Sequence, residues 1–135
     1  MIQNASVAEL ILLDADPKPQ SLATATNLDT ATFLNVQGYR SFIAVGIVAD
    51  LTGTATVQLL QATDAAGTGK KALGSAATEV GAAATVEAVA KACEQDLDTA
   101  NAFYYVGMRM SHNHGTARDV AGLWGKVPYN KPASN

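Results

Sequence analysis

Short runs of apolar and β-branched residues, each closed within a few positions by Gly, Asp, Asn or Pro, recur along the whole chain. A pattern of that period leaves little room for long helices and favours strands joined by turns. Leu10, Ile11, Leu12 and Leu13 are followed by Asp14, Ala15, Asp16, Pro17, Lys18 and Pro19, where the two prolines exclude a helix. Residues 32–36 form a short strand candidate ended by Gln37 and Gly38. Residues 39–48 are the most hydrophobic stretch, with Phe42, Ile43, Val45, Ile47 and Val48, and read as a strand buried on both faces. Asp50, Leu51, Thr52 and Gly53 look like a hairpin loop before a strand at 54–61, and residues 64–71 (DAAGTGKK) look like a polar loop.

Beyond that loop the signal weakens. Residues 72–80 suit a strand edge. Over 85–93 two readings compete, because Val86, Val89, Ala90, Cys93 and Leu97 fall on a helical face while every neighbouring segment reads as strand. Strand is the preferred expectation, followed by a helical turn near 94–101. Residues 103–110 alternate clearly, with Tyr104, Val106, Met108 and Met110 on one side and Tyr105, Gly107 and Arg109 on the other. A final strand at 120–127 carries Trp124, and 128–135 is a polar tail. The fold class is therefore all-β: an antiparallel β-sandwich or jelly-roll-like barrel of about eight short strands. The expected organisation is an N-terminal segment 1–20, a β-sandwich domain 21–127 and the tail 128–135.

Composition excludes several function classes. Of 135 residues, 26 are Ala, 13 Thr and 11 Gly, while charged residues make up 16% and aromatics 6%. Nine basic against twelve acidic side chains leave a net charge of −3, without the basic stripe that nucleic-acid binding needs. No apolar run is long enough for a transmembrane helix, and residues 1–13 lack the basic start of a secretory signal. The single cysteine, Cys93, has no partner for an intramolecular disulfide and reads as a small buried filler.

Each chemical motif has a plainer alternative. Gly67, Thr68, Gly69, Lys70 and Lys71 suggest a phosphate loop, but Asp64 stands where its first glycine belongs and Lys71 where its Ser or Thr belongs. His112 and His114 share a face on an extended segment, yet two imidazoles do not complete a metal site, and a polar loop is the simpler reading. Ser111, His112 and Asp119 lack a nucleophile turn. The pairs Asp14 with Asp16 and Asp96 with Asp98 suit turn caps better than calcium loops. Tyr39, Tyr104, Tyr105, Trp124 and Tyr129 would make a sugar platform only on one shared face. No catalytic residue, cofactor or metal is expected, and the chain reads as a non-enzyme.

From Thr56 onward, about 80 of the 135 residues, the order of motifs resembles small structural proteins of tailed bacteriophages. The resemblance rests on Gln58-Leu59-Leu60-Gln61-Ala62-Thr63-Asp64, on Asp96-Leu97-Asp98 and on Phe103-Tyr104-Tyr105-Val106, followed by a Pro/Tyr tail; residues 82–92 depart from it in lacking a β-branched strand. It implies a β-sandwich on the virion, made in the host cytoplasm and located on the capsid surface, that decorates or cements the shell. The implied partners are the major capsid protein and further copies of the chain, a trimer being the expected assembly. A neck, tail or head-fibre subunit and a carbohydrate-binding module are the alternatives. Small side chains and few charges suit contact surfaces independently, because they allow close approach at low desolvation cost. Leu10, Ile11, Leu12, Leu13, Pro17 and Pro19 are the expected partner-binding residues, within a docking arm over 1–20 whose alternative is a first core strand. ATP, zinc and chelators are expected to leave the melting temperature unchanged. A ligand at 100 times its Kd adds about 2.7 kcal/mol, so thermal-shift measurements will register any that binds.

Overall fold

A computed structural model describes residues 12–14 and 16–128. Eight strands follow in chain order: β1 (Leu12–Asp14), β2 (Gln20–Leu22), β3 (Leu28–Asp29), β4 (Leu34–Asn35), β5 (Tyr39–Ala62), β6 (Lys71–Cys93), β7 (Tyr105–His112) and β8 (Arg118–Pro128). All pairings are antiparallel, and the described residues contain no α-helix. Two short 3-10 turns, Glu94–Asp96 and Thr99–Asn101, occupy the region read as a helical turn. Residues 85–93 are strand, part of β6. The antiparallel sheet is nearly closed into a barrel, in keeping with the all-β sandwich or barrel expected from the sequence.

Strand lengths are far less even than the sequence suggests. β5 has 24 residues and β6 has 23, whereas β1 to β4 have two or three each. Straight, β5 would reach about 80 Å at 3.3 Å per residue, against a radius of gyration of about 14 Å for a compact chain this long. The hairpin must therefore bend, and it does so at Asp50–Gly53, the stretch read as a hairpin loop. The chain does not reverse there. Asp50 (φ 48°) and Gly53 (φ 128°) take left-handed backbone, Leu51 between them is fully buried, and opposite them Ala83 (φ 56°) makes the matching kink in β6. Turn residues mark a corner here because local backbone chemistry is the same for a bulge and a loop.

The corner creates two wings. In the first, residues 39–48 of β5 lie between β8 and the end of β6; in the second, 55–62 lie between β7 and the start of β6. Their inner faces meet in one core that includes Phe42, Ala44 and Val48 from the first wing, Val57 and Leu59 from the second, and Met108, Met110 and Trp124 from the flanking strands. Burial over 42–48 alternates, with Ile43 and Val45 half-buried and Ile47 exposed, so this segment is buried on one face and not on both. Double burial occurs instead at 59–62, where the loop carrying Phe33 covers the outer face and packs on Leu60, Ala62 and Tyr105.

Gly46 marks where the wings touch: a Cβ there would overlap Val57 and lie 3.2 Å from the Met110 methyl group. We expect Gly46→Ala to destabilise the fold by about 1–3 kcal/mol, the usual cost of overpacking, measured by urea denaturation. A second prediction concerns the tie between β3 and β7. Arg109 donates from Nε and Nη2 to the two oxygens of Asp29, at 2.6 and 2.9 Å, and Lys70 pairs with Oδ2 at 2.8 Å. Partial burial pushes the Asp29 carboxyl up, but the hydrogen bonds from Arg109 and Lys70 outweigh it and hold the pKa below the ordinary carboxylate value. Its contribution is thus present above about pH 4, the unfolded value, and falls away as pH drops through the lower folded value. Asp29→Asn should cost about 1–2 kcal/mol at pH 7 and flatten the acid limb of the stability–pH curve.

Candidate interaction surface

The polar residues singled out in the sequence are engaged in holding the backbone. At the corner, Asn113 Oδ1 accepts the Thr54 N–H at 2.6 Å, His114 Nδ1 accepts the Thr52 N–H at 2.9 Å, and Thr52 Oγ1 accepts the Ala83 N–H at 3.1 Å. His112 is buried; its Nδ1 accepts the His114 N–H at 3.2 Å, so its Nε2 carries the proton donated to the Leu22 carbonyl at 2.8 Å. The His-Asn-His segment is a splint for the bend in β5. Among the described residues no three His, Cys, Asp or Glu side chains converge as a metal site would require.

The glycine-rich loop is also filled from within. Asp64 Oδ1 accepts the N–H groups of Ala66 and Thr68, both at 3.0 Å, and Oδ2 accepts the Thr68 hydroxyl at 2.6 Å. Those bonds, the Thr68 hydroxyl first, hold the Asp64 carboxyl below its ordinary pKa. A carboxylate thus occupies the place a phosphate would take. Lys70 and Lys71 form ion pairs with Asp29 and Asp98. Asp98 is held below its ordinary value by Lys71 first and then Asn101, while Asp96 caps the turn by accepting the Cys93 N–H at 3.0 Å. Cys93 is half-buried at the end of β6, against Gln95 and Asp96, and not the core filler expected.

The aromatic residues share no exposed platform among the described residues. Trp124 is buried, its indole N–H without a hydrogen-bond partner; Tyr39 lies under the Lys126 ammonium, 4.3 Å from the ring centre; Tyr105 packs beneath Phe33. Tyr129 lies outside the described residues.

The six expected partner-binding residues are not gathered into one site. Leu10 and Ile11 lie outside the described residues. Leu12 and Leu13 belong to β1, opposite Lys126 and Gly125 of β8. Pro17 is buried, its carbonyl accepting the Gly122 N–H at 2.8 Å and its ring closing on that glycine. Pro19 is exposed and borders a shallow groove of about 440 Å³, shared with Ser21, Ile47, Ala49, Asp119 and Ala121 on the outer face of the first wing.

The sequence reading has the pieces of β6, a strand edge at 72–80 and a strand at 85–93, but misses that they form one continuous strand, Lys71–Cys93. It pairs with β5 along its length, and on its other side no described strand is hydrogen-bonded to it. Between Gly74 and Glu87 nearly every side chain is exposed, and Val80 is 75% accessible. A 23-residue strand without proline and with few charges is an unusually open edge. Its signal was the run of Ala, Thr and Val through 72–92, which lacks the apolar alternation of a covered strand.

No family model and no curated protein sequence matches the chain. Solved structures do. The VP2 subviral particle of infectious bursal disease virus superposes with a TM-score of 0.53 at 7% identity, over 89% of this chain and 33% of that one. The T13 particle of the same virus gives 0.52 at 5% identity, over 89% of this chain and 31% of that one. The chain spans about a third of the length of these neighbours, and at such identities the likeness is one of fold.

Proposed function

We propose that the chain is a non-enzymatic virion structural protein that decorates and stabilises a phage capsid through subunit contacts. The observation that carries this reading is the superposition of nearly the whole chain on part of a virus capsid protein. Two features of the molecule support it: the polar motifs are engaged internally, and a long low-charge strand edge stands open. Stabilisation would work by mass action, since a subunit that binds only the mature lattice lowers its free energy in proportion to occupancy. Partners of this kind are the major capsid protein and further copies of the chain. A neck, tail or head-fibre position uses the same contacts and is the second reading. Electron microscopy of the source particle separates the two: density on the shell supports decoration, and density only at the neck or tail overturns it.

Docking is assigned to residues 1–20. β1 is held to the sheet by three residues paired with β8 alone, which makes it an element that can exchange onto a neighbour's edge. Pro17, by contrast, plugs the surface over Gly122. Removing residues 1–11 takes away Leu10 and Ile11 while keeping β1, and should leave a folded domain that co-sediments with capsids less well, because each large apolar side chain buried at the contact is worth roughly 1.5–3 kcal/mol. Removing 1–20 should also lower stability, by loss of β1 and of the Pro17 contact. Undiminished capsid binding by the 1–11 deletion would overturn the arm.

A further inference from the structure

The end of β6 carries a pattern that matches its own copy. Register with β5 sets Glu87 beside Ile47, Val89 beside Val45 and Lys91 beside Ile43, so all three project from the outer face of the first wing. Ala88 and Ala90 between them are buried in the core. Val89 is 40% exposed although apolar, and neither Glu87 nor Lys91 forms an ion pair among the described residues. No other described strand is hydrogen-bonded along that edge, and only Gly74, near the start of β6 itself, comes close, beside the Lys91 carbonyl and Ala92.

We infer that two copies of this chain join edge to edge through residues 85–93 of β6, antiparallel, across a two-fold axis at Val89. In that register Glu87 stands opposite the partner's Lys91 and Lys91 opposite the partner's Glu87, with Val89 against the partner's Val89 on the axis. On the inner face Ala88 meets the partner's Ala90, small against small. Opposite residues of an antiparallel pair share a face, and 87, 89 and 91 do so here. Sliding each strand by two residues sets Glu87 against its own copy in one direction and Lys91 against its own copy in the other. Like charges directly opposite are destabilising, so the charges select one register. Because the contact is isologous it closes after two copies, and the first wings become one sheet running β8-β5-β6 into β6-β5-β8.

This assembly goes beyond the virion reading and does not depend on it, since the purified chain alone reports it. The experiment is sedimentation equilibrium on the full chain, with circular dichroism confirming that each variant is folded. The wild type is expected to be a dimer. Glu87→Lys and Lys91→Glu each place two like-charge pairs across the axis and should weaken the dimer about tenfold or more. The double variant Glu87→Lys/Lys91→Glu restores both pairs and should dimerise again. An equimolar mixture of the two single variants should form heterodimers, because each then supplies the charge its partner lacks. A monomeric wild type, a trimer such as the resemblance implies, or single and double variants of equal affinity would each overturn the pairing.

Discussion

The fold depends on a length that cannot be accommodated straight. A hairpin of 24 and 23 residues has to turn back on itself to bury its apolar face, and the two halves of β5 then become each other's core. Close approach requires small residues at the crossing, which is why Gly46 lies against Val57 and Met110. It also breaks the ladder at the corner and frees backbone groups that have to be satisfied elsewhere. Asn113, His114 and Thr52 accept three of those N–H groups, so the residues with the most chemical character in this chain are committed to keeping the bend.

That origin explains both what was legible in the sequence and what was not. Alternation in β7 and the apolar run of β5 follow from local burial, and Val106, Met108 and Met110 are buried as their spacing requires. The corner was misjudged because Asp50 and Gly53 carry the same left-handed signal whether a strand turns back or merely kinks. Only the buried Leu51 distinguishes the cases, and its burial belongs to the common core, not to the local sequence. Helix and strand were hard to separate over 85–93 because alanine serves both, and pairing with β5 decides between them. The outer covering at Leu60 and Ala62 depends on Phe33, far away in sequence, and has no local signature.

The same geometry determines where an interaction surface can lie. β8 flanks the first wing and β7 the second, both on one side of β5, so the other side of both wings belongs to β6. One strand is thereby the edge of both halves of the molecule. The opposite margins are treated differently: short strands β1 and β2 pair with β8, and β3 and β4 pair with β7. Short edge strands are a common way of preventing unwanted pairing, and β6 has no such protection.

Polar side chains sharpen the contrast between the two regions. Gln58 donates from one amide to the carbonyls of Leu59, Leu73 and Gly74, filling the irregularity where β6 leaves register, and Gln61 bridges Ala72 to Asp98. Asp29, Asp64 and Asp98 are each tied by several bonds. Glu87 and Lys91 make no ion pair with the described residues, although they lie on a strand whose backbone is otherwise well ordered by β5. Two opposite charges four residues apart on a strand, flanking an exposed valine, gain little from each other within one chain. They lie about 13 Å apart along it, beyond the range at which surface charges interact in physiological salt. Across a two-fold axis that separation vanishes, and the spacing that makes the pair ineffective in the monomer makes it complementary in the dimer.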